Sequence, residues 1–315
     1  MRVHRGFHNV ADSARGGVVA IGNFDGVHRG HQAVMAHAQA AAADLSTFAG
    51  ALTFEPHPRE VLTPDRAPAR LTPLPRKLAK LRATGLDWCY ILRFSTALMQ
   101  MRADTFIDEV LIAGLGVRHV VVGDNFAFGH KRQGTVAFLK EAGRARGFAV
   151  SALAPIAVDG AACSSTLIRT ALLDGHVEDA ASLLGAAYSL TGRVVHGDGR
   201  GRQLGFATAN LGHVHKRALI PAPGVYAVRA AIKGVGQRDG VANVGWRPTF
   251  DGQDQRIEVH LFDLDIDLYG KRMVVHFHAR LRGEQRFDGV DALQRQIARD
   301  CQHARERLSG LEPAV

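Results

Sequence analysis

The grammar of this chain changes near residue 188, and that change limits what the chain can fold into more than any other feature. Before it, short apolar runs alternate with helical patterns. GGVVAIG (16 to 22), GALTFE (50 to 55), WCYIL (88 to 92), VRHVVVG (117 to 123) and GFAVSALAPI (147 to 156) read as buried strands. Between them HQAVMAHAQAAAADL, PRKLAKLRATG, ADTFIDEVLIAG and GTVAFLKEAGRARG read as helices. Strict strand–helix alternation predicts a Rossmann-like parallel sheet covered on both faces. Two short helices, SSTLIRTALLDG and VEDAASLLG, then lead to a series of strands separated by Gly, Pro and Asp turns. LTGRVVH, GVYAVRAAI, GVANVG, RIEVHLFDL and RMVVHFHARL in succession predict an antiparallel barrel or sandwich. A final helix is expected over about 289–308, with Val290, Leu293, Ile297, Cys301 and Leu308 on one face. The domains expected are therefore 1–185 and 186–315.

Length and composition agree with two cored domains, since the 315 residues are 46% hydrophobic. No apolar run reaches the roughly 18 residues of a membrane span, and MRVHRGFHNV lacks the apolar stretch of a secretory signal. Cys89, Cys163 and Cys301 are isolated, without CxxC spacing, which argues against a disulfide framework or a zinc site. A cytoplasmic protein is expected. The net charge of +9 suits phosphate-bearing partners. Aromatic content is only 7% and the basic residues are scattered, so a nucleic-acid partner is not expected.

Ligands of parallel sheets bind where strands end and helices begin. At the first such point stands GNFDGVHRGH (22 to 31). Gly22 permits a tight turn, Gly30 permits close approach to the backbone, and the helix N-terminus behind them suits a phosphate. His28 and His31 there are able to donate hydrogen bonds to phosphoryl oxygens. As metal ligands they would need companions that the sequence does not announce. A plain helix start with surface histidines is as common a meaning of a bare HxGH.

TFEPHP (53 to 58), GDNFAFGHKRQG (123 to 134) and SSTLIR (164 to 169) follow in order. Together with the ten-residue string they resemble the bacterial bifunctional riboflavin kinase/FAD synthetases, over nearly the whole chain. The resemblance implies a nucleotidylyltransferase α/β domain that transfers AMP from ATP to FMN. It assigns His28 and His31 to the ATP phosphates, Asn125 to substrate placement and Arg169 to the departing phosphates. It also implies nucleotide contacts at Gly22, Phe24, Asp25, Gly26, Gly30, Ser164, Ser165 and Thr166. By pattern alone Ser164–Thr166 are an ordinary helix cap, Phe126 and Phe128 suit a core as well as they suit flavin contacts, and Asp25 suits a loop brace.

GRVVHGDGRGRQLGFATANL (192 to 211) has five glycines between 192 and 205 but no GxxxxGK[ST], so it is not a P-loop. It resembles the riboflavin kinase signature of the same family. That likeness implies a flavokinase barrel with a terminal helix, in which Thr208 and Asn210 hold the magnesium of MgATP and Gly199, Gly201 and Gly205 line the nucleotide. Glu258, on the polar face of RIEVHLFDL, is implied as the base for the riboflavin 5′-hydroxyl, although the alternation alone reads as a half-buried strand. Asn243 of NVGWRPTF is implied beside flavin and nucleotide, and Arg282 and Phe287 of RGEQRF as part of a flavin lid. The implied cofactors are ATP and Mg2+, and the implied substrates are riboflavin, FMN and ATP. Two rival readings are a riboflavin kinase with a silent adenylyltransferase half, and a flavin- or nucleic-acid-binding protein without catalysis.

Two stretches depart from the family pattern. Ala186 and Ala187 stand where relatives commonly have Arg-Pro, and Ala207 stands where Pro usually precedes the Thr of the TAN tripeptide. Proline at 207 would stiffen the approach to Thr208. Ala207→Pro is therefore expected to strengthen MgATP binding modestly with kinase specificity unchanged, and a compatible proline typically raises fold stability by about 0.4–1 kcal/mol. Steady-state kinetics against ATP checks this, and loss of kinase activity would mean that the loop follows another path.

Overall fold

The computed structural model describes residues 1–197, 201, 204–249 and 252–311. Contacts divide the chain into two compact units, Met1–Ser165 and Thr166–Val315.

The first unit is a six-stranded parallel sheet in the order β1-β4-β3-β2-β5-β6. Its strands are β1 (Arg2–Arg5), β2 (Val18–Ile21), β3 (Ala49–Glu55), β4 (Trp88–Arg93), β5 (His119–Gly123) and β6 (Ala149–Leu153). Because successive side chains on a strand face opposite ways, the buried residues sort into two cores. Val18, Ala20, Ala51 and Val121 meet Val34, Met35 and Ala38 of helix α1 (Arg29–Asp44). Val19, Ile21, Leu52 and Val122 meet Phe106, Ile107 and Leu111 on the other face. The expected sheet covered on both faces is thus present, with every residue of β2 buried.

Three local features differ from the sequence expectation. β1 pairs in parallel with β4 at the sheet edge, yet RVHR is mostly exposed and carries no apolar alternation to announce it. A short antiparallel pair forms between β7 (Ala157–Val158) and β8 (Ala161–Ala162). The expected helix at 103–114 starts as one short turn and continues as a π-helix over Phe106–Gly114, where Gly114 lets the Phe7 carbonyl approach to within 2.8 Å of where a Cβ would stand.

The second unit opens with two helices, Ser165–Asp174 (which begins one residue before the division) and Val177–Leu184. A closed antiparallel barrel follows, in the order β10-β13-β12-β11-β14-β9. Its strands are β9 (Tyr188–Val195), β10 (Ala209–Gly212), β11 (Gly224–Ile232), β12 (Gly236–Thr249), β13 (Gly252–Leu261) and β14 (Arg272–Arg282). The C-terminal helix, Val290–Leu308, covers part of the barrel's outer face. There Ala304 and Leu308 pack with Val225, Ala227, Val241 and Ala279. Val290 is 60% exposed, so the buried face of this helix begins later than its apolar pattern suggests. Buried Asp300 completes that face by pairing with Arg282, 2.8 Å away.

Tyr90 is fully buried in the core that holds Phe106 and Ile107, and its hydroxyl donates to the Ala14 carbonyl at 2.7 Å. Tyr90→Phe leaves that carbonyl without its donor, so stability is expected to fall by about 1–2 kcal/mol. Urea unfolding of the first-unit transition measures this, and a loss below the error of the midpoint would show that the hydroxyl is dispensable.

Candidate active sites

Winding runs from β2 outward through β3 to β4, then returns to β5 on the other side of β2. The crevice of an open α/β sheet lies at such a reversal, beyond the strand C-termini. Residues 22–31 after β2 and 123–134 after β5 therefore flank it.

The turn after β2 is strained. Phe24 has φ +50°, Gly26 +90° and Val27 +48°, and a β-branched residue in that region costs on the order of 1–3 kcal/mol. Asp25 offsets the strain. Its carboxylate accepts the backbone N–H groups of Leu71 (3.1 Å) and Thr72 (2.8 Å), while Thr72 Oγ1 accepts the Gly26 N–H (2.9 Å). Gly22 is required because a Cβ there would lie 2.9 Å from the Phe24 ring. Phe24 itself is a core residue whose ring meets the His31 ring edge-on at 5.3 Å.

His28 caps α1, its Nδ1 accepting the His31 N–H at 3.3 Å, so part of the helix terminus is already satisfied from within. The two imidazoles stack, with centroids 3.6 Å apart. A Cβ on Gly30 would lie 3.2 Å from the His28 ring, so glycine leaves that ring its place. His31 Nδ1 is buried without a hydrogen-bond partner. Burial, then the neighbouring His28 and then Lys77, hold His31 well below the ordinary histidine pKa. The two rings thus form one closely packed pair in which His31 is held neutral.

Lys77 was not singled out from the sequence. It is 2% exposed, and its ammonium donates to the Asn23 carbonyl at 3.0 Å. Burial lowers its pKa, opposed by Glu55 and Asp25. Nearby, Arg70 pairs with Glu55 of TFEPHP at 2.8 Å and with Glu60. The readable signal was phase: Lys77 lies on the same helical face as Leu74 and buried Leu81. Asn125 is exposed after β5, whereas Phe128 is buried and Phe126 stacks on it at 5.5 Å. Ser165 Oγ donates to the Asp25 carbonyl at 2.9 Å. Thr166 and Arg169 lie on the following helix, in the second unit.

In the barrel, strand register assembles the second site. Glu258 on β13 stands directly opposite Asn210 on β10 and, on its other side, opposite Asn243 on β12. Ile257 and Val259 are buried, so the row of three polar residues faces outward. A Cβ on Gly201 would stand 3.1 Å from Thr208 Oγ1, and one on Gly197 would collide with the Asn210 amide. These two glycines open a cradle over neutral oxygen donors, which fits a hard divalent cation that keeps its waters. Gly197 was not among the expected site residues. Gly199 lies outside the described residues, and Gly205 has φ +84°. Arg282 is committed to Asp300, with its guanidinium 5.6 Å from the Phe287 ring centroid. Among the described residues no three His, Cys, Asp or Glu side chains gather as a metal cage.

The FAD synthetase family model matches residues 10–167, and the riboflavin kinase model matches residues 184–308. A bifunctional riboflavin kinase/FMN adenylyltransferase of Pseudomonas fluorescens is 44% identical over 97% of both chains. The protein of that description from Escherichia coli K12 is 42% identical over 100% of both. This chain belongs to the bifunctional riboflavin kinase/FMN adenylyltransferase family. A Streptococcus pneumoniae crystal structure described as a macrolide-efflux protein superposes with TM-score 0.87 at 32% identity, covering 99% of each chain. Among the described residues, no helix here is long and apolar enough to cross a membrane. Membership therefore accounts for both motif sets: the HxGH pair falls in the FAD synthetase match, and the TAN tripeptide and Glu258 in the kinase match.

Holding His31 neutral has a cost in acid. Its folded pKa lies below the unfolded value of about 6.5, so its contribution to stability is full above that pH and is lost as the pH falls toward the folded value. Thermal melts between pH 7.5 and 5 (a window set by that pKa of about 6.5) are expected to show a steeper loss for the native chain than for His31→Gln. Parallel slopes would mean that the ring protonates freely in the fold.

Proposed function

We propose that this chain makes FAD from riboflavin in two ATP-dependent steps. The first-unit site transfers an adenylyl group to FMN, and the barrel site phosphorylates riboflavin. One arrangement carries the reading: a stacked histidine pair at the reversal of one sheet, and a Glu–Asn row on the outside of a separate barrel.

In the kinase step Glu258 takes the proton of the ribityl 5′-hydroxyl, whose oxygen attacks the γ-phosphorus of ATP as ADP leaves. Thr208 and Asn210 would hold magnesium, which when bound neutralises phosphate charge. Asn243, beside Glu258 in register, orients the flavin hydroxyl. Arg282 and Phe287 form one wall at the end of β14.

In the adenylyltransferase step an FMN phosphate oxygen attacks the α-phosphorus of ATP and pyrophosphate leaves. No protein nucleophile is needed; alignment and donors suffice. His28 and His31 donate to the α-phosphate, Asn125 places the substrates and Arg169 receives the leaving phosphates. Phe24, Asp25 and Gly26 act by holding the turn, Gly22 and Gly30 by leaving it room, Ser165 by tying the start of the next helix to the Asp25 carbonyl, and Ser164 and Thr166 by flanking that start. The activities are divided at 185/186, next to where the kinase match begins at residue 184. A cytoplasmic site of action is supported by the three free cysteines.

Incubation with riboflavin and MgATP, followed by separation of the flavins, tests the whole reading. FAD is expected; FMN alone would indicate a silent first unit, and neither product a binding protein. His31→Ala is expected to lower FAD formation by about 10²–10³-fold while FMN accumulates. Glu258→Gln should leave riboflavin unphosphorylated yet still convert supplied FMN to FAD. Loss of both activities from either change, at matched thermal melts, would overturn the independence of the sites.

A further inference from the structure

Cys163 stands one residue before SSTLIR and counts, in the sequence, only as an isolated cysteine. In the fold it is 7% exposed, and its Sγ lies 3.5 Å from His28 Nδ1. The segment is fixed there from both sides. The Cys163 N–H donates to the Ile156 carbonyl at 2.8 Å, and Ser165 Oγ donates to the Asp25 carbonyl at 2.9 Å. The Cys163 carbonyl would be 3.6 Å from a Cβ on Gly30, so this strand of chain closes directly over the start of α1.

His28 Nδ1 also accepts the His31 N–H at 3.3 Å. A ring nitrogen that accepts a donor cannot carry the proton of a neutral imidazole, which must then sit on Nε2. The backbone bond biases the ring toward that form, and a thiol S–H that shares the single lone pair of that nitrogen adds to the bias. We infer that Cys163 is a positioning residue for adenylyl transfer, whose thiol donates to Nδ1 and holds His28 in the tautomer that offers Nε2–H to the α-phosphate. The inference rests on the assignment of His28 to that phosphate. An S–H donor is weak by itself. It counts because the two tautomers of a neutral imidazole lie close in free energy, so a small bias changes which hydrogen-bond donor the substrate meets.

Two variants of the full-length chain separate donation from packing. Cys163→Val keeps bulk and removes the donor, whereas Cys163→Ser keeps a donor. Long-range 1H–15N spectra report the His28 tautomer without any substrate, and FAD formation from FMN and MgATP reports the consequence. The native ring is expected to be the Nε2–H form. Cys163→Val should mix the tautomers and lower kcat for FAD formation about 3- to 10-fold, with KM for ATP little changed. Cys163→Ser should keep the tautomer and recover most of the rate. Riboflavin phosphorylation should be the same in all three, and if Cys163→Val misfolds, Cys163→Ala replaces it against Ser. An unchanged tautomer and kcat in the Val variant overturns the inference, as does a Ser variant no better than Val. A native chain that makes no FAD would instead sink the functional reading, with the ring spectrum still deciding the role of the thiol.

Discussion

Reversal of the winding direction beside β2 is the constraint on which the first unit depends. It sets the loops after β2 and β5 side by side, and the β2 loop is held in shape by its own chemistry. That loop contains left-handed residues which would relax if they were free. The opposing force is the Asp25 carboxylate, which spans from the turn to Leu71 and Thr72. Asp25 is buried at 4% exposure, and a buried carboxylate is tolerated only when its lone pairs are used. Lys77 and Arg70 extend the polar network beneath the site, with Glu55 opposing both charges. Strain, brace and buried charge therefore belong to one arrangement, and the histidine pair sits on top of it.

The barrel solves a different problem with a simpler rule. Side chains alternate along a strand, so residues directly opposite on neighbouring strands share a face. Once Ile257 and Val259 point inward, Glu258 must point outward, and register brings Asn210 and Asn243 beside it. The same outer face carries Val225, Ala227 and Val241, which the C-terminal helix covers. Val241 and Asn243 are two residues apart on one strand, so the covered apolar area runs directly into the polar row. The buried Arg282–Asp300 pair ties the helix to β14 at that end of the barrel. Removing either partner would leave an uncompensated buried charge, which is why such pairs specify position more than they add stability.

Periodicity carried the fold. Alternation of strand and helix, then of inward and outward residues, suffices for the parallel sheet, the barrel strands and the terminal helix. It failed where the pattern was absent. RVHR forms an edge strand through backbone pairing with β4, to which its side chains contribute no apolar face. The histidine motif and Glu258 were legible because their residue types are chemically distinctive. Lys77, Gly197 and the tie between Asp25 and Thr72 were not, since each acts through a neighbour distant in sequence. A lysine in phase with Leu74 and Leu81 is a violation of helical patterning that could have been read. A glycine placed against the Asn210 amide leaves no such mark.

The stacked pair at the end of β2 also bears on how a cationic chain handles a polyanion. Two imidazoles with centroids 3.6 Å apart cannot both be protonated cheaply, and Lys77 adds to the penalty on His31. His31 therefore waits as a neutral ring and not as a fixed imidazolium. On the proposed reading, arrival of the ATP phosphates reverses the local balance, because a nearby anion raises the pKa of a histidine. Donation then strengthens as negative charge accumulates on the phosphoryl oxygens, which is when catalysis requires it. A permanently charged pair would bind ATP in its ground state about as well as in the transition state, and would accelerate the transfer less. Burial of His31, costly to the fold in acid, is in this sense part of the chemistry.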